Sequence, residues 1–204
     1  MIAFRASQAV GDRQVGGIWL INSDGTNPRR LTDGSDYYPQ WFRSGTRLAL
    51  TRTEDQDHDN IWVVALDGSA RQITTSQRDG KSTMSPDETQ IAFASDRGGK
   101  RNVWIVSAKE GESSARPFTF GGGRGPAWSP DGRWIAFGSD RGGTYAIYLK
   151  PVAGGPVRQV TDGSGNEFNP EWSPDGTFIV AGATSREGIA YIEVIDVRCA
   201  RERP

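Results

Sequence analysis

The sequence predicts an all-β protein, a β-propeller of about five four-stranded blades whose first blade is incomplete, and three observations predict it. A block of about forty-four residues recurs along the chain in one register. Turn chemistry is dense, with 26 glycines and 11 prolines, and 7 tryptophans supply large core side chains. No window keeps apolar residues at helical spacing for three turns, so helix is a poor reading anywhere.

The fullest copy shows each element in order. "PAW" (126–128) is a first strand, and "SPDGR" turns it: Pro130 presets φ, Asp131 bonds back to the backbone, and Gly132 accepts a positive φ. "WIAFGS", Trp134 to Ser139, is a second strand ending in the hairpin tip "DRGGT". "YAIYLK", Tyr145 to Lys150, is a third, and "VRQVT" after "PVAGGP" is a fourth. The second strands align through Ile2-Ala3-Phe4, Leu48-Ala49-Leu50, Ile91-Ala92-Phe93, Ile135-Ala136-Phe137 and Ile179-Val180-Ala181, at steps of 46, 43, 44 and 44. The third strands align through Trp19, Trp62, Trp104 and Tyr148. Trp41, Trp128 and Trp172, with Met84 in the equivalent place, read as inter-blade packing residues.

One domain is expected over 1–204, with blade units at about 1–38, 39–82, 83–125, 126–169 and 170–204. Residue 2 already opens a second strand, so the first strand of blade one, about ten residues, is missing. Gly188 to Val197 reads as a third strand and "RCARERP" as a charged candidate for a fourth. Three explanations stand open: a fragment of a longer propeller, an imperfectly closed ring, or completion by a partner chain. An uncovered edge of this kind invites self-association.

Composition excludes several classes. With 24 basic and 25 acidic residues well mixed, no basic face for nucleic acid is built. No apolar run reaches the roughly 20 residues of a membrane span, and no signal peptide is visible. Cys199 is the only cysteine, so there is no internal disulfide. His58 is the single histidine, no GxSxG occurs, and no zinc ligand set can be assembled, so neither catalysis nor a metal or other cofactor is expected. The tip "DQDHDN" spaces Asp55, Asp57 and Asp59 like the first calcium ligands of an EF-hand. Asn60 replaces the required glycine and Leu66 the bidentate glutamate, so a solvated hairpin end is the stronger reading. The "SDRGG" tips read as structural, with Arg97 and Arg141 in salt bridges between neighbouring blades.

The better candidates are the positions that do not repeat. The loops between a fourth strand and the next first strand should ring one mouth of the central channel. They carry Tyr37, Tyr38, Arg78, Lys81, Arg124, Glu167, Phe168 and Asn169 as ligand-binding candidates.

The pattern "PxWSPDGxxIAFxSDRGGxxxIYxxxxxGGxxxxxT" resembles the repeat of TolB-like β-propellers, cousins of the WD repeat, from Ile2 to about Val197. The resemblance implies an exported, periplasmic protein that binds a protein, peptide or small ligand at one channel mouth without catalysis. It equally implies an alternative, the propeller portion of a larger peptidase or lyase whose catalytic residues lie elsewhere, and a second alternative is a propeller fragment that self-assembles. TolB proper carries an N-terminal α/β domain that has no counterpart in this sequence, so a full Tol-system role is not implied.

Overall fold

A computed structural model describes residues 1–10, 13–54, 58–76 and 78–198. Cys199, the rest of the candidate fourth strand after Arg198, and Asp55 to Asp57 of the aspartate-rich tip lie outside the described residues. The regular elements are strands, in five antiparallel sheets arranged radially as the blades of a propeller. Blade one holds β1 (Ile2–Val10), β2 (Arg13–Ile21) and β3 (Arg29–Arg30). Blade two holds β4 (Ser35–Trp41), β5 (Arg47–Thr53), β6 (Asp59–Ala65) and β7 (Ala70–Gln72). Blade three holds β8 (Asp79–Met84), β9 (Gln90–Ser95), β10 (Asn102–Ser107) and β11 (Gly111–Pro117). Blade four holds β12 (Arg124–Trp128), β13 (Trp134–Ser139), β14 (Ala146–Pro151) and β15 (Arg158–Gln159). Blade five holds β16 (Asn166–Trp172), β17 (Phe178–Thr184) and β18 (Ala190–Asp196).

The repeat register is real in space. Phe4, Leu50, Phe93 and Phe137 stand opposite Trp19, Trp62, Trp104 and Tyr148 in four successive sheets. β1 therefore occupies the second-strand place, and the inner place of blade one is empty among the described residues. The inner strands β4, β8, β12 and β16 run across positions 38, 82, 125 and 169, each starting ahead of its proline–tryptophan segment or, in blade three, of Thr83-Met84.

Each pair of neighbouring blades shares its own core, as stacked repeats require. Leu20 and Leu50 meet between blades one and two, Phe42 and Phe93 between two and three, Phe118 and Phe137 between three and four, and Leu149 and Ile179 between four and five. Met84 and Trp128 belong to these cores, with Trp41 and Trp172 packed at their edges.

Two parts of the repeat motif have clear structural work. The closing threonine is a latch: Thr32, Thr74, Thr119 and Thr161 each accept, at 2.9 Å, the N–H of Ile18, Ile61, Val103 and Ile147. In the "SPDG" turn the serine hydroxyl donates to the aspartate, at 2.6 Å for Ser129–Asp131, and accepts the N–H of Trp134 at 2.9 Å. In the last copy the Ser173 hydroxyl, the Thr177 N–H and the Thr177 hydroxyl all donate to Asp175 and hold its carboxyl at about 2. In "SPDE" the turn glycine is replaced by Glu88, which keeps φ 60° where Gly45, Gly132 and Gly176 have 67°, 72° and 70°.

Candidate functional site

The inner strands share one irregularity. Pairing slips by a bulge between Tyr37 and Gln40, Asp79 and Ser82, Arg124 and Ala127, and Phe168 and Glu171. Three positions three residues before the tryptophan place, Tyr38, Gly125 and Asn169, take left-handed φ of 55°, 53° and 50°. Glycine does this freely, but a tyrosine there costs about 1–2 kcal/mol. A bulge re-aims the side chains around it, and here Tyr37, Tyr38, Lys81, Arg124 and Asn169 at or beside the bulges line one cavity.

The result is a cavity of about 400 Å³ at one mouth, to which four inner strands contribute. Tyr37 and Tyr38 come from β4, Gly80 and Lys81 from β8, Arg124 and Gly125 from β12, and Asn169 from β16. Asp59, Ala94 and Arg101 complete the wall. The tyrosine rings meet edge to face at 5.1 Å and also wall a second cavity of about 550 Å³, shared with Arg5 and Pro39. Asn169 Oδ1 lies 2.6 Å from where a Cβ on Gly125 would sit, and the Arg101 guanidinium lies so close to Gly80 that a side chain there would collide. Both glycines thus make room for polar groups of a neighbouring element.

The electrostatics are layered. Below the mouth, buried carboxylates repeat five residues before the tryptophan place. Asp36 is held by Arg52 at 2.7 and 2.9 Å, and Asp79 by Arg97 at 2.9 and 3.1 Å. Glu167 accepts from the Thr161 hydroxyl at 3.2 Å and the Gly165 N–H at 3.1 Å. At the mouth, Lys81 Nζ meets Glu171 at 2.6 Å and Arg101 meets Asp96 at 3.2 Å. Arg124 lies over the Tyr145 ring at 5.1 Å. Asp59 accepts from the Thr53 hydroxyl at 2.7 Å. Burial, with Asp59 as the next cause, pushes the Tyr37 phenol up to about 12.

Five of the eight sequence candidates therefore come together: Tyr37, Tyr38, Lys81, Arg124 and Asn169. Seven of the eight, all but Arg78, lie in inner strands rather than in loops. Arg78 precedes β8 as an exposed residue in a backbone bridge with Asp59. Glu167 is fully buried and serves the scaffold. Phe168 is 44% exposed and covers Gly182 on blade five's open face. Sequence reading missed Asp59 and Arg101, which enter from the third strand and the hairpin before it. The hairpin arginines also differ from expectation. Arg97 pairs with Asp79 and Glu112 of its own blade, and Arg141 donates to the Gly122 and Phe120 carbonyls. Among the described residues no group of three or more His, Cys, Asp or Glu could hold a metal ion, and no helix is long and apolar enough to cross a membrane.

Radial blades of three or four strands around a mouth lined from several inner strands define the chain as a repeat-built propeller. It belongs to the TolB beta propeller domain family, whose pattern matches residues 2–203. TolB from Acinetobacter baumannii superposes with a TM-score of 0.73 at 21% identity, over 89% of this chain and 49% of that one. A putative TolB from Agrobacterium tumefaciens gives 0.75 at 24% identity, over 87% and 64%. The β-propeller domain of the Trilobed protease from Pyrococcus furiosus, with an open velcro topology, gives 0.59 at 17%, over 98% and 68%. The chain thus spans about half to two thirds of the length of these TolB structures.

Proposed function

We propose that residues 1–204 form one propeller domain acting as a non-catalytic scaffold that binds a protein, peptide or small ligand at this channel mouth. The observation that carries the reading is the convergence of Tyr37, Tyr38, Lys81, Arg124 and Asn169, from four blades, on one cavity. Strained backbone at Tyr38 and Asn169 supports it, since such strain is retained where geometry matters. A periplasmic or otherwise exported setting is part of the same reading and follows the family. The test is selection of a displayed peptide library on the protein, with binders re-assayed on a Tyr37→Ala/Tyr38→Ala/Arg124→Ala variant. Binders that lose affinity support the mouth as the site, and binders that hold on place recognition elsewhere.

Two further readings have observations behind them. Likeness to a protease propeller domain favours the propeller portion of a larger enzyme, whose catalytic residues lie outside this chain. Self-assembly is favoured by blade five, where Phe178, Val180, Ile192 and Val194 share one face and are 36%, 40%, 73% and 65% exposed. The equivalent faces of blades one to four are covered by the next blade, so a second copy of blade one would continue an interface built four times already. Sedimentation velocity tests this: association that rises with concentration and is abolished by Ile192→Asp supports it, and a strict monomer contradicts it.

A further inference from the structure

We propose that the channel mouth is a carboxylate site, and that its ligand is a peptide segment presenting a carboxylate beside an apolar residue. The inference rests on the mouth being the binding site and adds the chemistry of what it takes. The cavity wall carries three cations, Lys81, Arg101 and Arg124, against one carboxylate, Asp59. Asp59 is already engaged by Thr53 and by the Tyr37 phenol. Lys81 is nearly buried, and its partner Glu171 is half exposed, so an incoming carboxylate can replace Glu171 without leaving a buried charge behind. Arg101 uses one nitrogen on Asp96. The Arg124 guanidinium has no hydrogen-bonding or ionic partner among the described residues, and its Cζ lies over the Tyr145 ring at 5.1 Å. A guanidinium held over an aromatic ring, with its donors free, suits bidentate capture of a carboxylate.

The neighbouring surface gives the second half of the ligand. Tyr37 and Tyr38 divide the basic cavity from the 550 Å³ cavity beside it, which Arg5 and Pro39 also line. Tyr38 presents its ring there from a left-handed backbone, half exposed. A chain lying across this partition would place its carboxylate on Arg124 and an apolar side chain on Tyr38. The carboxylate can come from a glutamate side chain or from a peptide C-terminus, and the chemistry is the same.

The test is fluorescence anisotropy with four N-terminally labelled hexapeptides that alternate leucine with a variable residue. The first has glutamate and an amidated end, the second glutamine and an amidated end, the third glutamine and a free C-terminal carboxylate, and the fourth lysine and an amidated end. The expected result is that the first or third binds at least about tenfold tighter than the second and fourth, the better of the two identifying the carboxylate's source. Affinity should fall as salt rises through the physiological range. Arg124→Gln, at an exposed position, should weaken the carboxylate peptide about tenfold, leave the amidated glutamine peptide unchanged and preserve the melting temperature. Lys81→Gln should act in the same direction. Tyr38→Ala should weaken all four alike. If glutamine binds as well as glutamate while Tyr38→Ala weakens both, the carboxylate inference is overturned and the mouth survives as the site. If no variant alters any peptide's binding, both are overturned, and failure of both carboxylate peptides to bind overturns the inference by itself.

Discussion

Replacing Arg97 by methionine should cost far more stability than the same change at Arg141, although both arginines stand in identical "SDRGG" tips. Arg97 donates to both oxygens of Asp79, at 3.1 and 2.9 Å, and to Glu112 at 2.6 Å. Asp79 is fully buried, and its other side-chain partner is the Ser76 hydroxyl at 2.9 Å. Methionine keeps the apolar stem over Phe93 and Trp104 but strands that carboxylate, and breaking a buried pair costs about 3–5 kcal/mol. In blade four the acid's place is taken by Gly123, and Arg141 gives its hydrogen bonds to loop carbonyls. Phe120 is exposed and the Gly122 carbonyl keeps the Ser139 hydroxyl at 3.1 Å, so the loss there is about 1.5–3 kcal/mol at most. Urea unfolding at neutral pH measures both, with the denaturant slope as a check that the unfolded state has not changed. At roughly 2–4 °C per kcal/mol for a chain of this size, Arg97→Met should lower the melting temperature by about 6–20 °C. Adding Asp79→Asn to Arg97→Met should recover much of the loss. Equal costs at the two arginines, or no recovery in the double variant, would refute the reasoning.

Other consequences are more local. Thr119→Val conserves shape but leaves the buried Val103 N–H unpaired, so it should cost about 1–3 kcal/mol in the same assay. Glu88→Gly removes left-handed strain while losing the contacts to Ser44 at 2.5 Å and Arg47 at 3.2 Å, so stability should stay within about 1 kcal/mol of wild type. Glu88→Val, branched at the same φ, should lose about 2 kcal/mol by urea unfolding. Tyr37 should ionise near 12 rather than its ordinary 10, read as phenolate absorbance in wild type minus Tyr37→Phe. Between those pH values the unfolded chain has released a proton that the folded chain keeps. The stability tied to Tyr37 is therefore intact below pH 10 and declines as pH climbs toward 12.

Much of the fold was legible because the repeat encodes it in chemistry that acts locally. Strand length, turn residues and the aligned second-strand triplets placed the sheets, whereas the recurring threonine was only a letter of the repeat until its bond to the third strand was visible. The mouth was harder. Tyr37, Tyr38, Lys81, Arg124 and Asn169 stood out by failing to repeat, yet they looked like loop residues because a bulge leaves no two-residue alternation to read. Proline at 39, 126 and 170 concealed that each inner strand begins upstream of it. Glu167 looked like a rim acid, and only the buried row of Asp36, Asp79 and Glu167 reveals it as scaffold. Arginine pairing was unreadable for a different reason. Arg52 and Arg97 occupy different places in the repeat, yet both cover the third-strand tryptophan and hold the inner-strand aspartate.

Backbone amide chemical shifts of the isotopically labelled protein, followed as the glutamate hexapeptide is added, test most directly whether the bulged inner strands form the binding mouth. The account predicts that the largest changes fall on Tyr38, Lys81, Gly125 and Asn169, in four blades at once. Changes concentrated instead at the "SPDG" end, on Gly45, Glu88, Gly132 and Gly176, or confined to one blade, would contradict it.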